Sequence, residues 1–164
     1  MKFYVLLENI RSKFNVGAIF RTAEAFSFEK VILTGFTPQI PDKEISKTAI
    51  GAEEYVKWQY WQNSIDAVKE LKSKGIKIVS AEIAENSVKL QDISMDSGIL
   101  KNTNNEGICI VLGNEIIGIS KKILDLSDII VEIPMLGEIK KSLNVEVAFG
   151  IIASWIRFSQ NTYQ

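Results

Sequence analysis

The sequence predicts an α/β domain built on a mostly parallel β-sheet with flanking helices. Three observations carry the prediction. Short apolar runs of strand length alternate with helical patterns along the chain, as they do in parallel α/β sheets. The strongest of these runs, Ile108 to Leu112, is apolar at every position and reads as a buried strand. With 164 residues, 46% of them hydrophobic and no internal repeat, the chain is expected to close one core as a single domain over residues 1–164.

Taken in order, Phe3 to Leu7 is a short buried strand followed by a polar turn. A helix then begins at Asn15, which has the chemistry of an N-cap, and places Val16, Ile19, Phe20, Ala23 and Phe26 on a core-facing stripe. Gly17, Ala18, Thr22 and Ala25 keep the adjacent face small, and Arg21 falls at the stripe's edge. Val31 to Leu33 is a second buried strand, and Thr37 to Asp42, with two prolines, is a loop. Lys43 to Ala52 starts a short helix, Val56 to Trp61 is a strand, and Asn63 caps a helix that runs through Lys74 and stops at Gly75. Ile76 to Ser80 is a strand. Val88 to Glu106 is polar and weakly patterned, with a loop at Asn102 to Asn105. After Ile108 to Leu112, Ser120 caps a short helix, Ile129 to Ile133 is a strand, and Ser142 to Phe158 is the longest helix.

Composition excludes several chemistries. The chain has no histidine, which removes the Ser-His-Asp triad, histidine bases and histidine-bearing metal sites. Its one cysteine, Cys109, lies inside the apolar run and reads as a buried strand residue. Neither a disulfide nor a metal is expected. The net charge of −1 gives no global pull toward nucleic acid, so any contact with one must use local cations. The candidates are Arg11, Lys13, Arg21, Lys43, Lys47, Lys140 and Lys141. Val5 to Leu7 is too short for a signal core and no stretch approaches a membrane span, which makes the cytoplasm the expected location.

In a parallel sheet, ligands gather where loops leave the carboxyl ends of strands, here after Leu112 and after Ile133. The first loop, Gly113 to Ser120, has the glycine spacing of a phosphate-binding P-loop, but Ile119 stands where the lysine is required, which excludes a nucleoside triphosphatase. The second, Ile133-Pro134-Met135-Leu136-Gly137, is a strand exit stiffened by proline and suited to presenting backbone groups to a flat heterocycle. Ser142 and Asn144 lie at the mouth of the last helix, where helix capping by Ser142 competes with ligand binding.

Three stretches together carry a resemblance. Asn15 to Ala23, Val111 to Glu115, and Ile133 to Gly137 with Ser142-Leu143-Asn144-Val145 resemble, in order, the three signature motifs of the SpoU (TrmH-like) branch of the SPOUT RNA methyltransferases. Lys47 to Glu53 is similar to a segment common among TrmH-type members. The resemblance implies a C-terminal deep trefoil knot that binds S-adenosyl-L-methionine, and a homodimer with each active site at the subunit interface. It implies transfer of a methyl group to a ribose 2′-hydroxyl of RNA, with tRNA favoured over rRNA. The apolar character of the last helix on nearly every side independently suits a core face and a partner face.

By position, the resemblance assigns catalytic roles to Asn15, Arg21, Glu115, Ser142 and Asn144, and cofactor binding to Leu112, Gly113, Asn114, Ile133, Met135, Ser142 and Leu143. Family proposals make the arginine the base, yet a guanidinium, with a pKa above about 12, is a poor one, so Arg21 stands open between base and phosphate clamp. Asn15 is expected to orient Arg21, Ser142 and Asn144 to position ribose, arginine or cofactor, and Glu115 to order its loop or balance charge. The chain departs from the family pattern at Ile116, where glycine is usual, at Glu146, where serine is frequent, at Ser12-Lys13, where Asp-Pro is common, and at Ser27, where glycine is usual. Ile116 and Glu146 motivate the competing expectation of a non-catalytic RNA-binding or ribosome-assembly module on the same fold.

Overall fold

A computed structural model of the chain describes residues 1–93, 107–139 and 141–159. The Asn102 to Asn105 loop and Lys140 lie outside the described residues. The elements are β1 (Lys2–Glu8), α1 (Lys13–Ala25), β2 (Lys30–Thr34), α2 (Lys43–Ala49), α3 (Ala52–Tyr55), β3 (Lys57–Trp61), α4 (Ser64–Ser73), β4 (Ile76–Ala81), β5 (Val88–Lys89), a 3₁₀ turn (Leu90–Asp92), β6 (Gly107–Leu112), α5 (Lys121–Leu126), β7 (Ile129–Glu132) and α6 (Val145–Ser159). The strands form one sheet in the order β3-β2-β1-β6-β4-β7-β5, and every pairing among the described strands is parallel.

The sheet is covered on both faces, so its central strands read as continuous apolar runs. Alternation divides the core in two. Phe3, Val5, Leu7, Ile108, Ile110 and Leu112 join Phe20 of α1 and Phe149, Ile152 and Ile156 of α6 on one face. Leu6, Cys109, Val111 and Ile78 join Val68 and Leu71 of α4 and Ile123 of α5 on the other. β6 is buried at all six positions, as its unbroken apolar run predicts.

Helix ends depart from expectation in four places. The N-cap of α1 is Ser12, whose hydroxyl accepts from the Asn15 N–H at 3.2 Å, so Asn15 lies inside the first turn with its side chain released for other work. The predicted Lys43 helix breaks at Ile50, which adopts a left-handed φ of 51°, and resumes as α3 after Gly51. Ser120 holds the cap position of α5 without capping it, because its hydroxyl donates to Glu8 Oε1 at 2.7 Å. The last helix starts at Val145 rather than Ser142. Its cap is Asn144, whose side-chain oxygen accepts from Glu146 N at 2.9 Å and whose carbonyl accepts from Ala148 N at 2.9 Å.

The end of α1 explains one departure from the family pattern. Phe28 N–H bonds to Ala23 O at 2.8 Å and Ser27 N–H to Glu24 O at 2.9 Å, the paired bonds of a Schellman motif. That motif needs a left-handed residue at position 27, and Ser27 supplies it at φ 54° where glycine would do so without steric cost.

Candidate active site

Parallel pairing brings the carboxyl ends of β4, β6 and β7 to one side of the sheet, and the loops that leave them enclose a cavity of 420 Å³. Its walls come from Ala81 to Ile83 after β4, from Leu112 to Ile116 and Gly118 after β6, from Glu132, Ile133 and Met135 after β7, and from Ser142 to Val145, Ala148 and Ile152 at the start of α6. Every residue assigned to the cofactor by the resemblance, namely Leu112, Gly113, Asn114, Ile133, Met135, Ser142 and Leu143, lines this one space.

The loop after β6 is held by its own side chains. Asn114 is buried, and its amide donates to Asn9 O at 2.7 Å while its oxygen accepts from Ile116 N at 2.9 Å and Ile117 N at 3.1 Å. Both polar ends of Asn114 thus shape the loop. Gly113 packs so closely on Gly118 and Ile119 that a Cβ there would collide with their backbone. Ile116, where glycine is usual, is 72% exposed and makes no demand on the core.

Glu115 joins this loop to α1. Its carboxylate accepts from Arg11 N at 2.9 Å, Ser12 N at 3.0 Å and Asn15 Nδ2 at 3.0 Å. Burial acts to raise its pKa, but the N–H groups of Arg11, Ser12 and Glu115 itself, with the Asn15 amide, outweigh burial and hold the carboxyl below its ordinary value. Asn15 Oδ1 in turn accepts from Asn144 Nδ2 at 3.1 Å. One residue from each of the three motifs, the first and last 129 positions apart, therefore meets in a single hydrogen-bonded chain.

Among the described residues no hydrogen bond joins Arg21 to this chain of bonds, and Asn15 uses both ends of its amide on Glu115 and Asn144. Six residues along an α-helix advance about 9 Å and rotate about 240°, which turns Arg21 to a different face from Asn15. Arg21 lines a second cavity, of 470 Å³, with Thr22, Lys47, Thr48 and Glu146 among its walls, and the two cavities share no lining residue. Glu146 is tied there by Thr22, whose hydroxyl donates to Glu146 Oε1 at 3.1 Å. Ser142 is exposed on the rim of the first cavity and, lying three residues before α6, does not cap it.

Two carboxylates escaped the sequence reading. Glu8, at the end of β1, is 3% exposed and accepts from Ser64 Oγ, Ser120 Oγ and Ser120 N at 2.7–2.8 Å. Glu82, one residue past β4, lines the first cavity and accepts from Ile119 N at 2.9 Å. The available signal was an acidic residue directly closing an apolar strand on its ligand side. Of the candidate cations, Lys13 is paired with Asp42 and Lys47 with Glu44, while Arg11, Lys43 and Lys141 are exposed. Among the described residues no cluster of acidic or cysteine side chains is arranged to hold a metal, and no helix is long and apolar enough to cross a membrane.

Comparison with known proteins places this geometry. A model of the SpoU rRNA methylase family matches residues 2–154. An uncharacterised tRNA/rRNA methyltransferase of Borreliella burgdorferi is 36% identical over 159 residues, covering 97% of this chain and 65% of the relative. The tRNA (guanosine(18)-2′-O)-methyltransferase of Escherichia coli K12 is 30% identical over 148 residues, covering 90% of this chain and 59% of the relative. The crystal structure of the A. aeolicus TrmH/SpoU tRNA modifying enzyme superposes with a TM-score of 0.80 at 25% identity, covering 98% of this chain and 76% of that one. The chain therefore spans about three fifths of the length of these curated relatives. With the motif residues gathered as described and the match running almost from end to end, the chain belongs to the SpoU rRNA methylase family.

Proposed function

We propose that this chain transfers a methyl group from S-adenosyl-L-methionine to a ribose 2′-hydroxyl of RNA, with tRNA preferred over rRNA. The observation that carries the reading is the convergence of Leu112, Gly113, Asn114, Ile133, Met135, Ser142 and Leu143 on one cavity at the carboxyl end of a parallel sheet. The donor set fits the cofactor. Leu112, Ile133, Val145 and Ile152 offer an apolar wall for a purine ring, and Glu82, Ser142 and Asn144 offer polar groups at the rim. The volume of 420 Å³ falls within the roughly 300–1,000 Å³ of small-molecule sites. When bound, the cofactor supplies a methyl group activated by positive charge on sulfur. The names of the Escherichia coli and A. aeolicus relatives favour tRNA, and tRNA modification favours a cytoplasmic setting.

Two finer features belong to the same reading. The strand order inserts β6 between β1 and β4 and sets β7 beyond β4, non-sequential connections in keeping with a trefoil knot formed by residues of the C-terminal half. A homodimer is supported by α6, where Val147, Ile151 and Phe158 are 44%, 40% and 62% exposed beside the buried face of the same helix. It is supported also by the separation of Arg21 from the cofactor cavity, which a second copy would bridge. Arg21, Asn15, Glu115, Ser142 and Asn144 then form the catalytic surroundings, Arg21 binding substrate phosphate and Glu115 with Asn15 holding α1 against the cofactor loop.

The test is incubation with labelled S-adenosyl-L-methionine and either bulk tRNA or rRNA, followed by nucleoside analysis and titration calorimetry of the cofactor. A 2′-O-methylated nucleoside, abolished in Arg21→Ala while the dimer persists in sedimentation, is the expected result. RNA binding without cofactor binding or turnover would instead establish the non-catalytic module.

A further inference from the structure

We propose that Glu82 and Glu132 make the cofactor cavity selective for positive charge, so that it holds the methyl donor and lets go of the demethylated product. The inference rests on the methyltransferase reading, which supplies a ligand whose charge changes in the reaction. The donor carries a sulfonium cation. When the carbon–sulfur bond breaks, its electron pair stays on sulfur, the methyl group bonds to the ribose oxygen and the hydroxyl proton is lost, which leaves a neutral thioether. One methyl group and one positive charge are all that separate donor from product, and selectivity between them is a difference of two affinities.

The charge of the cavity wall is one-sided. Glu82, Glu115 and Glu132 line it, and no lysine or arginine is among its lining residues. Among the described residues no salt bridge reaches any of the three. Lys141 is exposed beside Ser142 but lies outside the lining. The bonds that hold these carboxylates come from neutral donors: Glu82 accepts from the N–H groups of Ile83 and Ile119, and Glu132 from the Ser87 hydroxyl at 2.6 Å. Such bonds fix the side chains without cancelling their charge. The second cavity has the opposite balance, with Arg21 and Lys47 against Glu146.

Strand register sets Glu82 and Glu132 together. Ala81 of β4 stands opposite Val131 of β7, and Glu82 N–H donates to Val131 O at 3.0 Å. The two glutamates come next along their strands and leave the sheet side by side, both on the cavity wall. Like charges on neighbouring strands cost stability, and a cation in the cavity offsets that cost. Glu115 is instead committed to the start of α1 by three N–H donors. A sphere of 420 Å³ is about 9 Å across, so a group inside it lies within about one Debye length of the wall. Contact is therefore not required. Two unit charges about 8 Å apart change a binding constant by about twofold in water and by about 30-fold at the effective dielectric near a protein surface.

Titration calorimetry of the full chain with three probes reads this selectivity. The probes are S-adenosyl-L-methionine, sinefungin, which bears an ammonium in place of the methylsulfonium, and the neutral thioether S-adenosyl-L-homocysteine. At low salt the wild type is expected to bind the two cations about tenfold or more tightly than the thioether, and the gap should narrow as added salt shortens the Debye length. Glu132→Gln, which keeps an oxygen for Ser87, should weaken both cations by about three- to tenfold and leave the thioether within about twofold of wild type. Glu82→Gln should do the same. Wild-type protein that binds all three probes within about threefold of one another would overturn the inference while the cofactor reading stands. So would a cation preference unchanged in both variants, or an equal loss for all three probes, which marks a role in shape alone. Wild-type protein that binds none of the three is a separate result; it removes the cofactor reading and this inference with it.

Discussion

Replacing Glu115 with glutamine should loosen the start of α1 from the loop after β6, and the size of the effect follows from the bonds lost. In the wild type Oε2 accepts from Arg11 N and Oε1 from Ser12 N and Asn15 Nδ2. A glutamine has one oxygen to offer, so one side keeps its bonds while the new NH₂ faces an N–H donor on the other. A hydrogen bond is worth about 0.5–1.5 kcal/mol net and about 1.5–3 kcal/mol when one partner is charged. Water screens this exposed rim, so a loss of about 1–2 kcal/mol is expected. For a domain of this size that lowers Tm by about 2–8 °C. The pH dependence has a definite sign. Because the folded-state carboxyl lies below its ordinary value of 4.5, its contribution is present above that value and is lost as pH falls through the lower folded value. Urea unfolding of both proteins should therefore show a constant gap from about pH 6 to 8 that closes below about pH 4.5. Equal stabilities near pH 7, or a gap that persists undiminished in acid, would refute the argument.

Three further outcomes are expected. Ser27→Gly should raise stability by about 1 kcal/mol, or Tm by about 2–4 °C, because glycine removes the cost of the left-handed Schellman position; differential scanning calorimetry reads it directly. Gly113→Ala should weaken cofactor binding by about tenfold or more in calorimetry, since its Cβ must displace the Gly118–Ile119 backbone and with it the cavity wall. Cys109, fully buried in β6 with its thiol pKa pushed well up by burial, should resist Ellman's reagent in the native state and react once urea unfolds the chain; rapid native labelling would contradict the packing.

Much of this was legible in the sequence where the physics is local. An unbroken apolar run such as Ile108 to Leu112 admits few environments other than a doubly covered strand, and Asn63 followed by a helical pattern ending at Gly75 announces both helix ends. Where two neighbouring residues compete for one local role, the sequence does not decide. Ser12 and Asn15 are both good caps three positions apart, and the choice falls to Ser12 because Asn15 is needed across the fold by Glu115 and Asn144. β5 escaped notice because two residues, Val88 and Lys89, are too few to show a period. The strand order was equally hidden, since apolar parallel strands do not advertise their neighbours. The residues that the resemblance assigned to the cofactor line one cavity. They could not reveal that Arg21 faces a different space, which depends on the helix turn and on α2 and α6 packing beside it.

The strand order bears on how the chain is made. β1 pairs with β6 along one edge, from Lys2 opposite Gly107 to Leu7 opposite Leu112. A ribosome adding about 5–20 residues per second needs about 5–20 s to bring that partner out after β1 has emerged. Throughout that interval β1 can pair with β2 on one side only, and the row of amides and carbonyls on its other side stays open to any strand that arrives first. Slow translation between β2 and β6 should therefore lower the yield of native protein, and helpers that shelter nascent strands should raise it.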